Sequence, residues 1–138
     1  MIAAIRISGL IDLSEKQKSS LDSLNLRRKY NCILLKKDET YRLNNVKDLL
    51  SFGEVSDSTL KSLISKRAKT EKGKNKVENA EDVLKNLNGG KRLKELGLKP
   101  YLQLHPPIGG FKKSTKLPYP RGVLGENKKI EELIKRMI

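Results

Sequence analysis

Two short apolar runs, Ile2-Ala3-Ala4-Ile5-Arg6-Ile7 and Asn31-Cys32-Ile33-Leu34-Leu35, constrain this chain more than anything else in it. Each is short for a helix and closes on residues that end a strand, Ser8-Gly9 after the first and Lys36-Lys37-Asp38 after the second. Runs of this length and composition read as buried strands. Between them, Ser14 with Gln17 offers a capping box, and the helix it opens carries Leu21 and Leu24 inward before Asn25. The pattern is strand then helix, and it repeats. From Thr40 to Ser51, Leu43, Val46, Leu49 and Leu50 stand at helical spacing. Phe52-Gly53-Glu54-Val55 predicts a short third strand. Ser56 then caps a helix burying Leu60, Leu63 and Ile64, with Val55 placed to staple Leu60 and Lys66-Arg67 complementing the C-terminal dipole.

From Ala68 to Val77 the composition shifts to Lys69, Lys72, Lys74 and Lys76 among small or polar residues, which predicts a flexible basic linker. Asn79 caps a short helix with Val83, Leu84 and Leu87, stopped by Gly89-Gly90, and Lys91 to Leu96 adds a further turn before Gly97. Tyr101 to His105 alternates as a strand that Pro106-Pro107 ends. Gly109 to Gly125 reads as an extended loop. Asn127 caps a terminal helix with Ile130, Leu133, Ile134 and Met137 on one face and the pairs Glu131–Lys135 and Glu132–Arg136 on the other. The expected class is α+β, a small sheet covered by helices. It divides into a core with its following helix over 1–67, a basic linker and helical insert over 68–97, and an additional strand, basic loop and C-terminal helix over 98–138.

Charge narrows the function. Thirty lysines and arginines against 16 acidic residues leave a formal charge of +14. Self-repulsion on that scale disfavours the compact state, and a polyanion that accepts the lysines offsets it while releasing counterions. Nucleic acid is the expected partner. A membrane surface is not, because the chain has no tryptophan and only Phe52 and Phe111, and its apolar start lacks a charged leader. The single Cys32 fits a reducing, cytosolic compartment.

Catalysis has little to work with. Cys32 sits in an apolar strand, where a thiol packs as a small hydrophobe, and His105 stands alone without CxxC or HxxxH spacing. The carboxylate pairs Asp38-Glu39, Glu81-Asp82 and Glu131-Glu132 are neighbours in sequence on expected solvated faces, and no glycine-rich phosphate loop joins a strand to a helix. No cofactor, metal or small-molecule substrate is expected. Three basic constellations remain: Arg27-Arg28-Lys29 in a helix-to-strand connection, Lys66-Arg67 with Lys69, and Gly109-Gly110-Phe111-Lys112-Lys113 with Lys116 and Arg121. Glycines allow close backbone approach, the aromatic can stack, and the cations neutralise phosphate. His105 could be a ligand, a base or a polar residue stacked against proline and RNA; with it, the candidate RNA-binding set is Arg27, Arg28, Lys29, Lys66, Arg67, Lys69, His105, Phe111, Lys112, Lys113 and Arg121.

The motifs also have a recognisable order. Ile5-Arg6-Ile7-Ser8-Gly9 comes first, then Leu24-Asn25-Leu26-Arg27-Arg28-Lys29-Tyr30-Asn31-Cys32, then Phe52-Gly53-Glu54-Val55 with Thr59-Leu60 and Lys66-Arg67. Leu102-Gln103-Leu104-His105-Pro106-Pro107-Ile108-Gly109-Gly110-Phe111 completes the series. Together they resemble the ribosomal protein L-thirty family in its long archaeal and eukaryotic form, called L-seven in eukaryotes. The resemblance implies a β-α-β-α-β core of ferredoxin-like kind with an antiparallel sheet. It also implies assembly into the large subunit against ribosomal RNA and neighbouring ribosomal proteins, with no catalysis. By motif it places Arg27, Arg28, Lys66, Arg67, His105, Phe111 and Lys112 near RNA. The segment Tyr41-Arg42-Leu43 departs from the family in lacking a glycine after the arginine, and the glycine-rich stretch beyond Phe111 is reduced to Arg121–Gly125. The alternative reading is a free RNA-binding assembly or processing factor, which co-sedimentation with large subunits would distinguish.

Overall fold

A computed structural model describes residues 1–9, 11, 13–71 and 79–138. At its centre, strand β1 (Ile2–Arg6) pairs antiparallel with β2 (Asn31–Leu35) on one side and β3 (Leu50–Glu54) on the other, Ala4 lying opposite both Ile33 and Phe52. Successive side chains of a strand point to opposite faces. Ala3, Ile5 and Cys32 accordingly enter one apolar cluster, and Ala4, Ile33, Leu35 and Leu50 the other. That two-sided burial is why the two apolar runs show no polar alternation.

Helix α1 (Glu15–Ser23) lies on the second of these faces, where Leu21, Leu24 and Leu26 pack. Its capping box is formed, Ser14 Oγ accepting from the Gln17 N–H and Gln17 Oε1 from the Ser14 N–H, both at 3.2 Å. The opposite face carries α2 (Asp57–Arg67), α3 (Ala80–Asn88) and α4 (Ile130–Met137), which contribute Leu60, Leu63, Ile64, Leu87, Ile130, Ile134 and Met137 to a single core. Val55 joins Leu60 there. Ser56 and Asn79 stand at N-cap positions of α2 and α3 without a side-chain cap bond. At Ser56 the backbone N–H is taken instead by the Glu131 carboxylate of α4, which ties the starts of two helices together.

The remaining strands change the sheet. β4 (Leu102–Gln103) adds antiparallel to β2, and β6 (Gly122–Glu126) adds parallel to β3, with β5 (Ser114–Pro118) irregularly alongside it. The order is β4-β2-β1-β3-β6-β5, so the sheet is mixed rather than purely antiparallel as expected. The stretch 109–125 read as a loop because Gly122 and Gly125 leave only Val123-Leu124 as an apolar pair, too little to register as a strand. The strand expected at Tyr101–His105 pairs only over Leu102–Gln103.

Between β2 and β3 the expected helix does not form. Lys37–Leu43 and Lys47–Leu49 are 3₁₀ turns, and Leu50 belongs to β3. Leu43, Val46 and Leu50 are all buried in one cluster, so the periodicity reported burial correctly, but Asn44 and Asn45 are poor helix formers and Leu50 pairs with Arg6. Of the expected basic linker, Lys72, Lys74 and Lys76 lie outside the described residues. Ala68 is buried, and Thr70 bridges to Leu98. The turn after α3 is a 3₁₀ segment, Leu93–Leu96, closed by Gly97 at φ +74°.

Gly53 is placed where no side chain fits: a Cβ there runs into the Asn127 backbone carbonyl and comes within 2.9 Å of Ile130 Cγ2. Backbone cannot move aside as a flexible side chain can. Gly53→Ala is expected to destabilise the protein by about 1–3 kcal/mol in urea unfolding; a loss below about 0.5 kcal/mol would contradict this packing of α4 on β3.

Candidate nucleic-acid interface

Strand direction decides where the basic residues gather. Asn31 lies opposite Gln103 and Ile5 opposite Cys32, so β1 and β4 finish at the end of the sheet where β2 begins. The Tyr30 N–H donates to the Arg6 carbonyl at 2.8 Å, and the Leu104 N–H to the Tyr30 carbonyl at 3.1 Å. α4 ends at the same place, the Met137 carbonyl accepting from the His105 N–H at 3.0 Å. The exposed Arg27, Arg28 and Lys29 lead directly into this junction, and exposed His105 leaves it. Arg27 pairs loosely with Asp22 at 3.6 Å, both side chains being largely solvated.

A buried arginine organises this end. The Arg6 guanidinium, with its residue only 1% exposed, donates to the Leu26 carbonyl at 2.7 Å, to Ser8 at 3.0 Å and to Gly9 at 3.2 Å. It joins the turn leaving β1 to the connection reaching β2. Burial lowers its pKa, opposed by the charge of Asp22. Sequence reasoning took Arg6 only as part of a motif; the one available signal was an arginine inside an otherwise apolar run.

Tyr30 adopts φ +66°, the left-handed region that bulky residues avoid, and its ring stacks on Phe111 with centroids 6.3 Å apart and planes 29° from parallel. Lys29 Nζ lies 5.8 Å from the Tyr30 ring centroid. The first and third basic constellations are therefore joined through an aromatic contact. Phe111, Lys112 and Lys113 line one cleft with Tyr119, Lys129 and Arg136. Arg121 is exposed in the turn between β5 and β6, outside the residues lining that cleft. Lys66, Arg67 and Lys69 form a second group at the end of α2; Lys66 and Lys69 are exposed and Arg67 is half-buried. The Arg67 Nε finds no acceptor among the described residues, and the Lys69 carbonyl accepts from the Lys99 N–H at 2.9 Å.

The residue that sequence reasoning misassigned is Arg136. The pairs Glu131–Lys135 and Glu132–Arg136 are not among the ion pairs of the described residues, since Glu131 is engaged at Ser56 and Arg136 reaches across to the Ile108 and Gly110 carbonyls. Its Nε and Nη2 lie 3.2 and 3.1 Å from the Ile108 oxygen. This clamp holds the loop in which Gly109 and Gly110 take φ +79° and +75°, values that require glycine or strain, and so fixes where Phe111 points from.

Cys32 is fully buried and burial pushes its thiol up to about 12, against a smaller opposing effect of the Ala4 backbone, so it is a neutral packed side chain at physiological pH. Among the described residues no three His, Cys, Asp or Glu side chains come together as metal ligands, and no helix is long and apolar enough to cross a membrane. The arrangement presents exposed cations and partly exposed aromatic rings at one end of the sheet.

Residues 2–50 match the family described as ribosomal protein L30p/L7e. Over its full length the chain is similar to proteins called large ribosomal subunit protein uL30. It is 35% identical to that of Archaeoglobus fulgidus, with 99% of each chain covered. Against that of Korarchaeum cryptofilum it is 33% identical, covering 100% of this chain and 95% of the relative. Against a Saccharolobus islandicus relative it is 35% identical, covering 100% and 98%.

Two outcomes are expected from this geometry. Arg6→Met should lower stability by about 2–4 kcal/mol in chemical denaturation, because three carbonyls lose a charged donor, and Arg6→Lys should not restore it, since one ammonium cannot span them. A fully stable Arg6→Met would show that the clamp is incidental. Cys32 should resist alkylation by iodoacetamide at pH 8 in the folded protein and react once unfolded in urea; prompt labelling of the folded protein would contradict its burial.

Proposed function

The chain belongs to the ribosomal protein L30p/L7e family, and from that premise we propose that it is a structural constituent of the large ribosomal subunit that binds and braces ribosomal RNA. The observation that carries the reading is the end-to-end similarity to large-subunit proteins, 33–35% identical with nearly all of both chains covered. It is a non-enzymatic protein acting in the cytoplasm as part of that subunit, in contact with ribosomal RNA and neighbouring ribosomal proteins. On this reading β1, α1, β2, the 3₁₀ turns and β3 stand for the family's β-α-β-α-β, ferredoxin-like core. Residues 68–97 are its insert and 98–138 its basic C-terminal extension.

Arg27, Arg28 and Lys29, with His105, Phe111, Lys112 and Lys113, form the proposed principal RNA surface at the end of the sheet where β2 begins. Lys66, Arg67 and Lys69 form a second, and Arg121 extends the first along the β5–β6 turn. The charge of +14 supports this, since phosphate contacts neutralise a self-repulsion that folding alone leaves standing. The backbone of this connection is anchored by Arg6 and needs no ordering on binding, so its exposed cations suit the fixing of RNA shape more than the reading of sequence.

Replacing Arg27 and Arg28 together with alanine removes two exposed cations without touching the core. Association with large-subunit ribosomal RNA is expected to weaken, and the slope of log affinity against log salt to fall by up to about 2, near 0.9 for each lost phosphate contact. An unchanged slope in a natively folded double variant would take this connection out of the interface.

A further inference from the structure

The cleft beside Phe111 has the makings of a nucleotide site. It has a volume of about 200 Å³, the scale of one base rather than of a base pair. Two aromatic residues line it, Phe111 and Tyr119, and four cations surround them: Lys112, Lys113, Lys129 and Arg136. Phe111 is backed by Tyr30, and Lys113 Nζ stands 5.0 Å from the Tyr119 ring centroid. Both lining rings are only partly buried, so each keeps surface towards solvent. The stack is held under strain: Tyr30 keeps its left-handed backbone through bonds to Arg6 and Leu104, and bulky residues in that region concentrate at functional sites.

We propose that this cleft receives a single unpaired nucleobase of RNA, extending the Tyr30–Phe111 stack, with the adjoining phosphate neutralised by Lys112, Lys113 and Lys129. One carboxylate, Glu132, also lines it. A carboxylate repels a bare phosphate but accepts from the exocyclic amine of a base, which favours a base inside and phosphate at the rim. Bases splayed from the helix are what proteins stack on aromatic rings in RNA, and such stacking is sequence-tolerant. The inference rests on the RNA-binding reading above and adds to it a preference for an extrahelical nucleotide.

The test uses the full chain and two short RNA duplexes, one fully paired and one identical except for a single bulged 2-aminopurine. The protein is expected to bind the bulged duplex about tenfold more tightly at equal salt, with the 2-aminopurine fluorescence quenched on binding. Phe111→Leu keeps the apolar contact with the core but lacks a ring, and should bring the ratio of bulged to paired affinity to about one and abolish the quenching. If that variant loses its native melting transition, Tyr119→Leu, whose ring is half-exposed, serves with the same expectation. Equal affinity for both duplexes, or a preference that survives loss of either ring, overturns the cleft assignment alone. Binding to neither duplex overturns the RNA-binding reading and this inference with it.

Discussion

Three carbonyl oxygens converge on one buried guanidinium, and the basic end of the molecule depends on that arrangement. Arg6 closes the central strand by donating to Ser8, Gly9 and Leu26, and so ties together two consecutive connections of the chain. A charge taken out of water is tolerable only when its hydrogen bonds are satisfied, and here backbone carbonyls satisfy them, with the charge of Asp22 acting in the same direction. The consequence reaches outward. With Leu26 fixed, Arg27–Lys29 cannot drift, Tyr30 is delivered to Phe111, and the solvated cations stand on a held backbone.

A second arrangement separates charge along the molecule. α2 and α4 start side by side, tied where the Ser56 N–H meets the Glu131 carboxylate, and their first turns carry Asp57, Glu131 and Glu132. Their last turns carry Lys66 with Arg67 and Lys135 with Arg136. Helix dipoles alone favour that distribution, each such placement contributing about 0.3–1 kcal/mol. The same distribution turns a positive edge outward, and α4 ends against the His105–Gly110 segment that its own Arg136 clamps.

Much of this was legible in the residues. The apolar runs at 2–7 and 31–35 became β1 and β2 because burial on both faces demands uninterrupted apolar sequence, and the capping box at Ser14 is a local signal that tertiary context did not override. The segment 40–51 misled because its leucines and valine report which residues are buried, and helical and 3₁₀ backbones can both bury them. β6 was invisible since its place beside β3 is set by a long-range parallel pairing and by Asn127, whose N–H reaches the Phe52 carbonyl at 2.7 Å. The basic clusters could be read one by one; their meeting could not, because the contact between Tyr30 and Phe111 spans most of the chain. Arg136 showed its helical face and concealed its target, carbonyls of a loop that no periodicity describes.

A polycation whose exposed arginines stand on a backbone anchored by the fold is suited to permanent residence among RNA phosphates. The most direct measurement is sucrose-gradient sedimentation of the tagged protein from cell lysate, followed by a high-salt wash of the large-subunit fraction. The protein is expected to co-sediment with large subunits and to stay with them through the wash. Migration in light fractions, or quantitative release by salt, would contradict it and mark the protein as a transient RNA-binding factor.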